Sequence, residues 1–163
     1  MLRILFLCTE NACRSQMAEG LVNHFLAGQA RAFSAGLSPT RVNPRAVAVL
    51  AELGLDISKQ RSKSVNDLAG EQFDLVVTVC DRAREQCPLF PGPVIKIHLS
   101  FADPARVRGS EDEIMAVFRK VRAEMREKLL PLLTRRPRAN KIVAPGLACA
   151  IRWPQEMVPP LIN

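Results

Sequence analysis

The sequence predicts an α/β fold, a single doubly wound domain with a four-stranded parallel sheet and helices on both faces. Three observations lead there. Apolar runs of strand length alternate with segments of helical period, helix-capping signals stand between them, and the Cys and Asp residues best suited to chemistry follow strand ends. A parallel sheet places its site outside the carboxyl ends of its strands, where those residues fall.

The first strand is Leu2 to Leu7, a nearly continuous apolar run. Arg14 to Ala27 then carries Met17, Ala18, Leu21, Val22 and Phe25 at helical spacing, and Ala32 to Ala35 reads as a second, short strand. Asn43 is an N-cap with Pro44 at the first helical position, opening a helix through Ala46, Val47, Leu50, Ala51 and Leu53 that Gly54 closes. A polar stretch from Ser58 to Gln72 leads to a third strand at Phe73 to Val79, and after a loop rich in charge and proline Val94 to Leu99 is the fourth. Ser110 and Glu113 form a capping box for a long helix whose apolar face holds Ile114, Val117, Phe118, Val121, Met125, Leu129 and Leu132.

Residues 1–134 are thus expected to form the catalytic domain. The Pro- and Arg-rich extension 135–163 has five prolines and no sustained period, and reads as a loosely packed tail, with a partner-docking role for Trp153 as the alternative. The length of 163 residues suits one domain. No apolar run approaches the roughly 20 residues that span a bilayer, and the N-terminal run lacks a signal-peptide cleavage site, so a cytoplasmic location is expected. In that reducing compartment the five cysteines are reactive or metal-binding rather than structural disulfides. The net charge of +7 includes +4 from the extension; with one Trp and no Tyr, the chain lacks the stacking aromatics of a nucleic-acid binder and suits a small anion instead.

The strongest motif is Cys8-Thr9-Glu10-Asn11-Ala12-Cys13-Arg14-Ser15, a C-x5-R arrangement between strand and helix. A loop curled around a tetrahedral oxyanion points its backbone N–H groups inward, the helix N-terminus adds positive potential, and a guanidinium grips two oxygens. The same field lowers a thiol pKa, so Cys8 is the expected nucleophile, with Ser15 donating to its sulfur and Asn11 shaping the loop. Thr9, Glu10, Asn11, Ala12, Cys13 and Arg14 make the oxyanion-binding loop. A second pair, Cys80 and Cys87, follows the third strand, flanked by Arg82 and Arg84 as candidates to lower their pKa values. No C-x2-C spacing accompanies these cysteines, so no metal site is expected. Asp103, after the last strand in Phe101-Ala102-Asp103-Pro104, is the candidate general acid.

With Gln16-Met17-Ala18-Glu19 following, the loop resembles that of the low-molecular-weight phosphatase family and its arsenate reductase branch, over about residues 2–132. The expected strand order is 2-1-3-4. The resemblance to the thioredoxin-coupled branch, which has a C-x6-C pair at this place, implies a three-cysteine relay. Cys8 attacks arsenate, Cys80 takes up the Cys8 sulfur as arsenite leaves, and Cys87 draws the disulfide to a mobile loop where thioredoxin reduces it. Arsenic detoxification by a monomer follows, with weak phosphatase activity beside it. A phosphatase needs only Cys8, and that alternative stays open, as does a non-catalytic oxyanion-binding or redox-sensing module. Cys13 is expected to serve at most as a protective thiol and Cys149 to be incidental. The resemblance has departures. Glu10 stands where a small or neutral residue is usual and has to point outward. Asn11, Glu19 and Ser34 match potassium-binding positions, but Lys63 replaces the acidic ligand, so no potassium ion is expected. Leu99 replaces a frequent Trp. Ala105 and Arg106 replace the tyrosines of the phosphatases. His24 and His98 are read as structural.

Overall fold

A computed structural model describes residues 1–134. The extension 135–163, with Cys149 and Trp153, lies outside the described residues. Four strands, β1 (Leu2–Cys8), β2 (Ala30–Gly36), β3 (Leu75–Thr78) and β4 (Ile95–His98), form one all-parallel sheet in the order β2-β1-β3-β4, as expected. Helices α1 (Arg14–Phe25), α2 (Pro44–Ala51), α3 (Asp81–Glu85) and α4 (Glu111–Thr134) surround it. Strand β1 is central, and Ile4 to Leu7 are fully buried, which explains its unbroken apolar run.

Several boundaries differ from the sequence reading, each for a tertiary reason. Strand β2 begins two residues earlier because it pairs along the whole of β1, from Leu2 with Ala30 to Cys8 with Gly36. Strand β3 is shorter, since its ladder runs only from Leu75 to Thr78; Phe73 is buried just before it, edge-on to Phe33 and Phe90. Two short 3-10 turns, Val65–Leu68 and Pro104–Arg106, interrupt stretches read as loop. So does α3, whose five residues bury only Ala83 and therefore show no apolar period. On α4 the buried residue of the last turn is Leu133 rather than Leu132, in step with Leu129 at i+4.

The capping signals hold in detail. The Asn43 side chain accepts the Arg45 N–H at 2.9 Å with Pro44 at the first position of α2, and Gly54 adopts φ +76° beyond its end. Ser110 Oγ accepts the Glu113 N–H while Glu113 Oε2 accepts the Ser110 N–H at 2.7 Å, a reciprocal box opening α4. Among the described residues no helix is long and apolar enough to cross a membrane.

Topology now sets the site. The chain leaves β1 toward β2 on one side and returns to add β3 on the other, so the order in which strands are added reverses between β1 and β3 while all stay parallel. A crevice opens at such a switch point beyond the strand ends. Cys8 ends β1, and Cys80 follows β3 by two residues. Gly36, paired with Cys8, brings the end of β2 against the loop: a Cβ there would meet Asn11 N at 2.8 Å and Thr9 O at 2.9 Å, both backbone atoms.

Gly36→Ala is therefore expected to destabilise the protein by about 1–3 kcal/mol in urea unfolding, whereas glycine replacement in an unconstrained strand usually helps.

Candidate active site

The loop from Cys8 to Arg14 is held by its carbonyls. Cys8 O accepts the Leu37 N–H, Thr9 O the Ser38 N–H, Glu10 O the Thr40 N–H and the Ser62 hydroxyl, and Ala12 O the Asn43 N–H. Asn11 O accepts from the Gln16 side chain at 3.0 Å. In a planar trans peptide the N–H points opposite the preceding carbonyl. Tying the carbonyls to the segment Leu37–Asn43 and to Ser62 and Gln16 thus turns the following N–H groups toward the hollow of the loop, ready for an anion.

Asn11 is the fixed point. It is fully buried with φ +49°, a left-handed conformation that Asn tolerates better than most residues. Its Nδ2 donates to Ser15 Oγ and Ser34 Oγ, each at 2.8 Å, while its Oδ1 accepts from Gln16 Nε2 at 2.9 Å and Lys63 N at 2.8 Å. Both donors and both acceptor sites of the amide are used. Ser15 Oγ, which receives an amide hydrogen from Asn11, lies 2.8 Å from Cys8 Sγ and donates its hydroxyl hydrogen to the sulfur in the thiolate form. Asn11 N–H also donates to that sulfur, at 3.1 Å. By the same logic the Ser34 hydroxyl donates to Glu19.

The Cys8 sulfur is thus faced by donors. Burial nevertheless pushes its thiol up, against the Ser15 hydroxyl, the Ser15 and Asn11 N–H groups and the Arg14 charge, all of which pull down. The lowered pKa expected from sequence is therefore reversed by desolvation, which a loop motif does not reveal. Cys13, also buried, is pushed up to about 12 by burial, with the Asp103 and Cys8 charges adding to it, so it stays a thiol.

Cys8, Thr9, Cys80, Arg14, Arg82 and Asp103 line one cleft of about 280 Å3, in which Glu10 and Arg106 also take part. The structure thus brings the first two cysteines together, and Thr9 Oγ1 lies 3.4 Å from Cys80 Sγ. Cys87 lies outside this cleft, half-buried beside Pro88 O at 3.7 Å. Its thiol is pushed up by burial and pulled back by Lys96, not by Arg82 or Arg84. Glu10 is exposed and stands on the lining of the cleft.

Asp103 is on the rim but is not free. Its Oδ2 accepts from Arg14 Nη2 at 2.9 Å, Arg106 Nε is 3.6 Å away, and its Oδ1 caps the Pro104–Arg106 turn through Ala105 N–H. Arg14 also donates to Phe101 O at 3.1 Å. Acid and guanidinium hold each other. Lys63 Nζ stands 3.4 Å from Glu19 Oε2 and 3.3 Å from Arg61 O. Among the described residues no group of three or more His, Cys, Asp or Glu is placed to hold a metal ion.

Sequence reasoning missed the stapling residues Gly36, Ser62 and Gln16, and Lys96 beside Cys87. Only the alignment of loop and β2 gives them meaning, though a glycine closing a strand pattern is a signal of close approach.

Comparison with known proteins places this geometry. The pattern of the family described as "Low molecular weight phosphotyrosine protein phosphatase" matches residues 3–141. An arsenate reductase of Bacillus subtilis is 44% identical over 126 residues, covering 77% of this chain and 91% of that protein. A solved arsenate reductase in the phosphate binding state superposes with a TM-score of 0.65 at 32% identity, over 82% of this chain and 98% of the other. A thioredoxin-dependent arsenate reductase of Corynebacterium glutamicum gives 0.57 at 28% identity, over 78% and 59%. With the loop Cys8–Arg14 stapled at the end of β1 and a family match across nearly all of its described residues, this chain belongs to the low molecular weight phosphotyrosine protein phosphatase family.

Proposed function

We propose that this chain reduces arsenate to arsenite, with Cys8 as nucleophile, Cys80 and Cys87 as a disulfide relay, and thioredoxin as the electron source in a cytoplasmic setting. The observation that carries the reading is the shared cleft: a phosphatase needs no cysteine beyond its oxyanion loop, and here Cys80, from the end of β3, lines the same cleft as the loop cysteines Cys8 and Cys13. The names of the relatives support it.

Arsenate enters the hollow of the loop, and Arg14 turns from Asp103 to grip two of its oxygens. Asp103, released, takes up the proton that Cys8 gives up as its thiolate forms and delivers it to the departing oxygen. The Cys8 thiolate forms a bond to arsenic as that oxygen leaves as water. Cys80 thiolate then attacks Cys8 Sγ; the S–As bond breaks with its electron pair remaining on arsenic, and arsenite departs. Two thiols have supplied two electrons. Cys87 thiolate next attacks Cys80 Sγ, releasing Cys8 as thiolate and leaving a Cys80–Cys87 disulfide, which the thioredoxin dithiol reduces.

The last exchange has a structural requirement. Cys80 and Cys87 flank α3, and seven residues at helical rise span about 10 Å, whereas disulfide-bonded Cα atoms lie about 4.4–6.8 Å apart. Helix α3 has to unwind. Every residue invoked lies within 1–134, which we take as the catalytic domain. The Lys63 ammonium already balances Glu19, so these residues do not suit a potassium ion.

Cys80→Ser and Cys87→Ser are expected to abolish multiple-turnover arsenate reduction with thioredoxin. After one equivalent of arsenate, mass mapping of Cys87→Ser should find a Cys8–Cys80 bond; turnover by either variant overturns the relay. Hydrolysis of p-nitrophenyl phosphate by Cys80→Ser at the parent rate, with no arsenate reduction by the parent, would instead make the chain a phosphatase. Because burial raises the Cys8 pKa, its alkylation by iodoacetamide should accelerate as pH rises through the alkaline range. Ser15→Ala removes a contribution that lowers that pKa, so its profile should move to higher pH. Exchanging sodium for potassium at constant ionic strength is expected to leave the reduction rate unchanged.

A further inference from the structure

His98 bridges the two sides of Cys80. It stands opposite Thr78 in the β3–β4 ladder, and its Nδ1 lies 2.9 Å from the Thr78 hydroxyl. Its Nε2 lies 3.0 Å from Asp81 Oδ1, in the first turn of α3. Thr78 precedes Cys80 by two residues and Asp81 follows it by one. One imidazole thus fastens the chain before and after the sulfur that has to move.

Among the described residues no other side-chain hydrogen bond reaches α3. A helix of five residues is too short to be stable by itself, and Ala83 is the only residue α3 buries. Cys80 is its N-cap residue but makes no side-chain capping bond; its sulfur is turned to Thr9 instead. The first turn of α3 is therefore held from outside, and His98 is the side chain that does so through Asp81. Thr78 is buried and fixed in β3, which makes it the anchored end of the bridge.

We propose that His98 is a positioning residue for the relay, a latch that keeps α3 folded and Cys80 in the cleft until the disulfide passes to Cys87. The proposal rests on the arsenate-reduction reading only for its use of the Cys80–Cys87 exchange. That bond draws the two ends of α3 together and displaces Asp81, so the latch exists in the dithiol form and is lost in the disulfide form. Whatever removes the latch favours the disulfide. In exchange with glutathione, one oxidised glutathione accepts the two electrons of the Cys80 and Cys87 thiols and leaves as two reduced glutathiones.

The test is this equilibrium in the full chain carrying Cys8→Ser, which keeps Cys8 from pairing, with the Cys80–Cys87 bond counted by mass mapping across glutathione ratios. His98→Ala is expected to form half of that bond at a poise about threefold to tenfold less oxidising than the parent. Asp81→Ala, altered on an exposed side chain that cannot unfold the core, should shift it similarly. His98→Gln, which keeps a donor for Asp81, should shift less. A general loosening would lower the melting temperature without moving this midpoint, since both redox forms keep the core. Midpoints for His98→Ala and Asp81→Ala within twofold of the parent would overturn the latch while leaving the relay standing. A parent that forms no Cys80–Cys87 bond at any ratio would overturn the relay and the latch with it.

Discussion

The buried amide of Asn11 is the interaction on which the site depends. Its four hydrogen bonds join α1 through Ser15 and Gln16, β2 through Ser34, and the strand-like segment at Lys63. With the amide fully used, Ser15 Oγ is set against Cys8 Sγ and the Ser34 hydroxyl donates to Glu19, with the Lys63 ammonium beyond it. A left-handed residue at this place also turns the loop so that its carbonyls reach the segment Leu37–Asn43 and its N–H groups face inward. Backbone shape and thiol environment are set by the same side chain.

Two opposing effects meet at Cys8. The sheet end buries the sulfur and makes its charge costly, while the loop surrounds it with donors that favour that charge. Arg14 is the smallest of the contributions that favour the charge, and its guanidinium is bound to Asp103 and Phe101 O. In the proposed reaction an oxyanion that draws Arg14 away also frees Asp103, its present partner. The cleft therefore couples its groups by competition for one guanidinium.

Much of this was legible in the sequence, for local reasons. The Ser110–Glu113 box, the Asn43-Pro44 start and the apolar runs of β1, β3 and β4 are each decided by neighbours in the chain, and each is present. The loop Cys8–Arg14 was legible because an oxyanion loop is one continuous segment. Helix α3 was not, since it is too short to show a period, and the length of β2 was not, since pairing with β1 and not side-chain pattern extends it. The bridge that His98 makes was not legible, because the groups it joins are 20 and 17 residues away.

By itself the sequence determined the alternation of strands and helices, the loop that offers N–H groups to an anion, and the presence of two further cysteines after β3. Those follow from residue type and spacing. Only the tertiary structure decided that Cys8 and Cys80 share one cleft, that Asp103 holds Arg14, that Lys96 and not an arginine stands by Cys87, and that burial raises the Cys8 pKa. The reason is physical. Desolvation, ion pairing and closeness across a switch point depend on which segments the parallel sheet sets side by side, and that register is written in no single stretch of the chain.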